Sequence, residues 1–269
     1  MPAVQVQRLQ KQIRELLWKF TRPDEFAASL DSLLDFYGNR VYRAGQSITQ
    51  GRQSLTFRVP HLVMHTLERE LDALCKENPI AALALADRLW QEKMLEPRQL
   101  AAAILGLVPI SEAQTVLDKI ETWTQAGGDS NLLRMLISKG SARIRLEQPN
   151  RWLELCLRWL ERTDAHSLAA GIQAASALLE DRSFLNLPPI YDAITPLIID
   201  PPQTLLLELQ RLVALLLVCS PGETVYILKQ ILLAKPNVNS RKLIRSLLPK
   251  LSPADQDEVR ALMTSGSAA

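Results

Sequence analysis

The chain has 269 residues, enough for one or two domains with a sizeable core. It is 47% hydrophobic and 22% charged with only 10 Gly, which fits a packed helical protein and excludes a disordered one. Lys and Arg number 31 against 29 Asp and Glu, a net charge of +2, so only local clustering of charge bears on a polyanionic partner.

The N-terminal stretch mixes Arg8, Lys11, Arg14 and Glu15 with Leu and Ile, unlike a secretory leader. Leu9, Ile13, Leu16 and Leu17 recur at helical spacing, and Phe26 to Phe36 continues the pattern after Pro23. Residues 38–58 read as a basic loop or linker with no acidic side chain. Pro60 opens a helix through about Lys76, in which His61, His65 and Glu68 share a face.

Between Asn78 and Asp181 helix starts recur with one grammar: Asn78-Pro79, Glu96-Pro97, Ser111 with Gln114, Asp129-Ser130, Asn150 and Asp164. A capping side chain satisfies orphan N–H groups, and Pro at the first helical position presets φ. Starts roughly 14 to 20 residues apart suit short helices joined by tight turns. Their pairs repeat about every 35 residues, the period of a helical-repeat array. Pro188 to Ile199 reads as a helix interrupted by Pro196. Thr204 to Val218 is apolar nearly all round and is expected to be central. Ser220-Pro221, Asn239-Ser240 and Ser252-Pro253 open three further helices.

No period-2 apolar alternation of useful length occurs. The expected fold is therefore all-α, a curved solenoid of about twelve antiparallel-paired helices. Its organisation is residues 1–58 as N-terminal helices plus the basic loop, 59–264 as the repeat array, and 265–269 as a frayed tail. The most apolar run, Leu205 to Cys219, holds Glu208 and Arg211 and is too short to span a bilayer, so a cytoplasmic protein without a membrane partner is expected.

No phosphate-binding, dinucleotide, zinc-protease or nucleophile-elbow motif is present, and no cofactor is implied. Cys75, Cys156 and Cys219 lie in apolar helical context without metal or redox spacing, and read as buried reduced thiols. The His61, His65 and Glu68 face lacks an evident fourth ligand and reads as a solvated polar face, with no metal expected.

Local charge is more informative. Lys229, Lys235, Arg241, Lys242, Arg245 and Lys250 fall between Thr224 and Ala254, where no acidic residue occurs. Arg241 and Arg245 share a helical face, and Arg143 with Arg145 makes a second basic spot after Gly140. Facing one cavity, these cations would neutralise phosphates; otherwise they are solvated outer faces. Trp90, Trp152 and Trp159 fall in core-like patterns. Trp123 ends a helix just before Gly127, Gly128 and Asp129, and such an aromatic beside a loop carboxylate can wall a pocket for a planar ligand or a nucleobase.

Several of these elements resemble, in order and spacing from Phe57 to Leu262, the HEAT-like-repeat DNA alkylation repair family of AlkD-type alkylpurine DNA glycosylases. The similar stretches are Thr56-Phe57-Arg58-Val59-Pro60 before a helix, Leu89-Trp90 at a helix end, Ile120-Glu121-Thr122-Trp123, Trp159 with Glu161, and Arg241-Lys242 followed by Glu258-Val259-Arg260. The resemblance implies a solenoid cupping duplex DNA by its backbone. It further implies excision of cationic alkylated purines by two Trp flanking the deoxyribose and an Asp four residues after the first. Trp123 matches that first Trp. Gly127 stands at the Asp position, and Asp129 is the nearest carboxylate. His166 replaces the second Trp, and Leu168 and Ala169 replace an Arg pair. On this reading Trp123 and Asp129 carry any glycosylase chemistry, by stabilising positive charge on the sugar. Arg143, Arg145, His166, Arg241, Lys242 and Arg245 would contact DNA. The alternative is a non-catalytic scaffold that takes a protein partner on its concave face.

Overall fold

The computed structural model describes residues 5–38, 55–125, 130–180, 184–234 and 236–265. These are all-helical, with fifteen α-helices and no strand. Among them the short helix Ala142–Glu147 is the one whose start the sequence did not signal. The fold divides into two compact units, residues 1–148 and 149–269.

The first unit holds α1 (Val6–Leu17), α2 (Pro23–Tyr37), α3 (His61–Glu77), α4 (Pro79–Trp90), α5 (Leu95–Leu107), α6 (Ala113–Gln125), α7 (Ser130–Met135) and α8 (Ala142–Glu147). α1 shows why such short helices form here: Leu9, Ile13 and Leu16 make one apolar stripe, and all three are buried. Asn78 caps α4, its side-chain oxygen accepting from the Ala81 N–H at 3.1 Å. α5 is the centre of this unit and packs on α3, α4 and the π-helical turn Leu136–Gly140 that joins α7 to α8. Gly106 of α5 meets that turn so closely that a Cβ would stand 2.1 Å from the Lys139 carbonyl oxygen.

One end of the predicted basic loop is anchored to α5. Leu55 bridges Met94, and the Leu95 N–H donates to the Leu55 carbonyl at 2.7 Å. Buried Glu96 accepts from the Thr56 hydroxyl and from the N–H groups of Phe57 (3.0 Å) and Arg58 (2.8 Å). These bonds hold Arg58 at φ 55°, a left-handed conformation uncommon outside glycine.

The second unit holds α9 (Pro149–Leu160), α10 (Ala165–Glu180), α11 (Pro188–Ile199), α12 (Leu206–Cys219), α13 (Pro221–Leu233), α14 (Val238–Leu247) and α15 (Pro253–Ser265). α9 packs along α10, where Gly171 lets the Leu160 side chain approach to 2.8 Å of where a Cβ would be. The Trp152 indole N–H donates to the Ala174 carbonyl at 3.1 Å, so a fully buried indole satisfies its polar atom. α11 runs through Pro196 without a break, contrary to the expected interruption. α12 packs against α10, α13 and α14, yet Leu207 and Val218 stay exposed, so it is covered on one side rather than all round. α14 starts at Val238, capped by the Asn237 side chain rather than by Asn239. Among the described residues no single helix is long and apolar enough to cross a membrane.

Gly106→Ala forces α5 off the π-helical turn. It should cost about 1–3 kcal/mol or more in denaturant unfolding. Gly222→Ala, with nothing within 4 Å of the new Cβ, should leave the midpoint nearly unchanged.

Candidate nucleic-acid interface

Trp123 closes α6 and faces inward. Its indole stacks on Trp90 of α4 with ring centroids 4.3 Å apart and planes 8° from parallel, and only 9% of it is exposed. The Arg98 guanidinium lies 5.7 Å from the Trp90 ring centroid, and its Nε donates to the Trp90 carbonyl at 3.0 Å. Lys119 pairs with Asp87 at 2.6 Å, tying α6 to α4 a second time. This arrangement joins α4, α5 and α6. Asp129, the carboxylate expected beside Trp123, lies outside the described residues, as does Gly127.

The basic spot after Gly140 separates into two environments on α8. Arg143 faces Glu147 one turn on, at 3.8 Å. Arg145 turns back onto the π-helical turn, donating to the carbonyls of Ile137 (2.8 Å) and Ser138 (3.1 Å) and to the Ser141 hydroxyl. Widening a helix to π geometry leaves carbonyls without their usual donors, and Arg145 supplies the missing N–H groups. No local pattern in the sequence separates that role from phosphate binding.

The remaining site residues belong to the second unit. His166, half-buried, is the second residue of α10. Asp164 caps this helix, accepting from the Ser167 N–H at 2.8 Å, and that bond holds its carboxyl below the usual carboxylate range. Leu168 is buried in the core, so the first position of the replaced Arg pair faces inward. α14 carries Arg241, Lys242 and Arg245; Leu243, Ile244 and Leu247 bury its opposite side. Lys242 and Arg245 are exposed, as is Lys250 just beyond the helix. Lys229 is different: Asp255 (3.1 Å) and Glu258 (2.6 Å) of α15 take its charge. These acids are distant in sequence, which is why Lys229 counts with the cluster by composition and not in space. Lys235 lies outside the described residues.

Two surface features were not anticipated from periodicity. Trp18, just past α1, is 83% exposed. A groove of about 440 Å³ runs between α1 and α2, lined by Arg8, Gln12, Glu15, Lys19, Ser29 and Phe36. The signal for Trp18 was available, since it projects from the charged side of α1 on a helical wheel.

The rings of His61 and His65 stack with centroids 6.1 Å apart, and Glu68 is engaged by Lys139. No group of three metal-ligating side chains comes together among the described residues. Cys75 and Cys156 are buried, and burial, with Asp72 adding to it, pushes the Cys75 thiol up to about 12. A thiol so raised is a poor nucleophile at neutral pH. Comparison with family models, with curated proteins and with solved structures found no match to this chain.

Two outcomes follow from this geometry. Trp123→Ala should destabilise the first unit by about 3–5 kcal/mol, read by denaturant unfolding, because it removes one partner of a buried stack. In native protein at neutral pH, a thiol-titrating disulfide reagent should modify Cys219 before Cys75 and Cys156, which react fully only on unfolding. Equal rates for all three would contradict the burial described.

Proposed function

We propose that this chain is a HEAT-like-repeat protein that binds duplex DNA through the phosphate backbone, with the exposed face of α14 as a principal contact. The carrying observation is the exposure of Lys242 and Arg245 on one short helix, inside a stretch from Thr224 to Ala254 without an acidic residue. Cations three residues apart on a helix lie side by side and reach neighbouring phosphates, and such contacts give affinity without reading sequence. The reading is one of binding. Trp123 is committed to its stack on Trp90, so base excision would need Asp129 and a rearranged Trp123, and a base-release assay on alkylated duplex with Asp129→Asn examines it separately.

A protein-scaffold reading is favoured by one observation. Tyr226 and Leu233, 62% and 60% exposed, are two turns apart on one side of α13.

The deciding experiment titrates fluorescent duplex DNA, with and without an abasic-site analogue, at two salt concentrations. Binding should weaken steeply with salt, and Lys242→Ala with Arg245→Ala should lower the slope of log K against log salt by about two. Absence of binding at low salt overturns the DNA reading and leaves the scaffold.

A further inference from the structure

We propose that the outer face of α1 is a separate contact for single-stranded nucleic acid, with Trp18 stacking on an unpaired base and Lys11 and Arg14 holding the flanking phosphates. It stands on different residues and a different unit from the α14 reading, so either can fail alone.

Trp18 is the exception among the tryptophans. Trp123, Trp152 and Trp159 are buried and Trp90 is stacked, whereas Trp18 is 83% exposed. The backbone that carries it is fixed. Trp18 caps α1, and the following turn is closed by N–H donation from Lys19 to the Leu16 carbonyl (2.9 Å) and from Phe20 to the Leu17 carbonyl (3.0 Å). Leu16 and Phe20 are buried on either side of it, which leaves the indole outward. An indole carried on a fixed turn and open to solvent offers its ring face to a base.

The residues around it carry the matching charge. Lys11, Arg14 and Trp18 recur at helical spacing on one side of α1, and both cations are exposed. From residue 5 to 22 the cations are Arg8, Lys11, Arg14, Lys19 and Arg22, against the single acid Glu15. Glu15 lines the groove towards α2, where Lys19 also lies, bonded to Ser29 at 2.6 Å. Arg22 is paired with Glu25. The face bearing Trp18 thus carries two exposed cations beside an aromatic ring, with exposed Glu15 at its edge towards the groove, a combination that tracks a backbone and stacks its bases.

The same composition on a free helix would suggest a lipid surface. Membrane docking, however, needs the apolar stripe, and Leu9, Ile13 and Leu16 are buried inside the unit. Paired bases are closed to an indole by their own stacking, so the face fits an unpaired strand.

The test uses the full chain and a fluorescently labelled oligothymidylate, with binding read by anisotropy over a salt series. Because Trp18 is exposed, Trp18→Ala should fold as the parent does, which circular dichroism verifies. It should weaken oligothymidylate binding about fivefold to a hundredfold, with Trp18→Phe weakened less. Lys11→Ala with Arg14→Ala should lower the salt slope by about 1.4. The α14 variants should weaken duplex binding and leave the Trp18-dependent loss intact. Unchanged oligothymidylate affinity in Trp18→Ala overturns the proposal. So does Trp18-dependent binding to phosphatidylserine vesicles, or Trp18-dependent dimerisation in sedimentation, when the oligonucleotide does not bind.

Discussion

The absence of a side chain at Gly106 sets the distance between α5 and the turn that follows α7, and much of the first unit depends on that distance. With the Lys139 carbonyl where a Cβ of residue 106 would need to be, backbone packs against backbone. The turn adopts π geometry there, and the carbonyls of Ile137 and Ser138 turn to Arg145. The Lys139 side chain is carried across to Glu68 of α3. A substitution at one small residue therefore disturbs a helix contact, a cation-satisfied turn and an ion pair together. These cannot be treated as independent contributions.

The second unit uses the same device with different chemistry. Gly171 admits Leu160 between α9 and α10, and the pair is then filled by two large indoles, Trp152 and Trp159, set edge to face with ring centroids 6.1 Å apart. Tyr191 of α11 bonds the Thr224 hydroxyl of α13 at 2.7 Å, a buried polar link inside an apolar setting. In both units most helices are short enough to be marginal alone, and close packing supplies what propensity does not.

The all-helical class and the starts at Asn78, Asp164 and Ser252 were legible because each is a local event: a side chain meets an N–H three residues away. Pro196 misled because an interior proline removes one hydrogen bond, and α11 keeps its neighbours' bonds and packing around that loss. Asn239 was passed over for Asn237 because both are good caps, and burial of Ser240, Leu243 and Ile244 set which register won. For the candidate site, residue type was legible and partnership was not. Arg145 and Lys229 look like their exposed neighbours in sequence. Their acceptors, two carbonyls freed by a π turn and two carboxylates on a later helix, come from tertiary structure. Trp123 satisfies the pattern of an aromatic at a helix end, and what occupies its face is a tryptophan 33 residues earlier.

The tryptophans also partition the chain optically. The Trp90 and Trp123 indoles are close enough for their electronic transitions to couple, and whatever dichroism that coupling produces is lost when the rings part. The perpendicular Trp152 and Trp159 pair, 6.1 Å apart, couples in a different geometry. Trp18 emits in water and reports neither core. Each unit therefore holds its own tryptophan pair, so removing one pair by substitution and heating while recording the other would show whether the units lose their packing at one temperature or two.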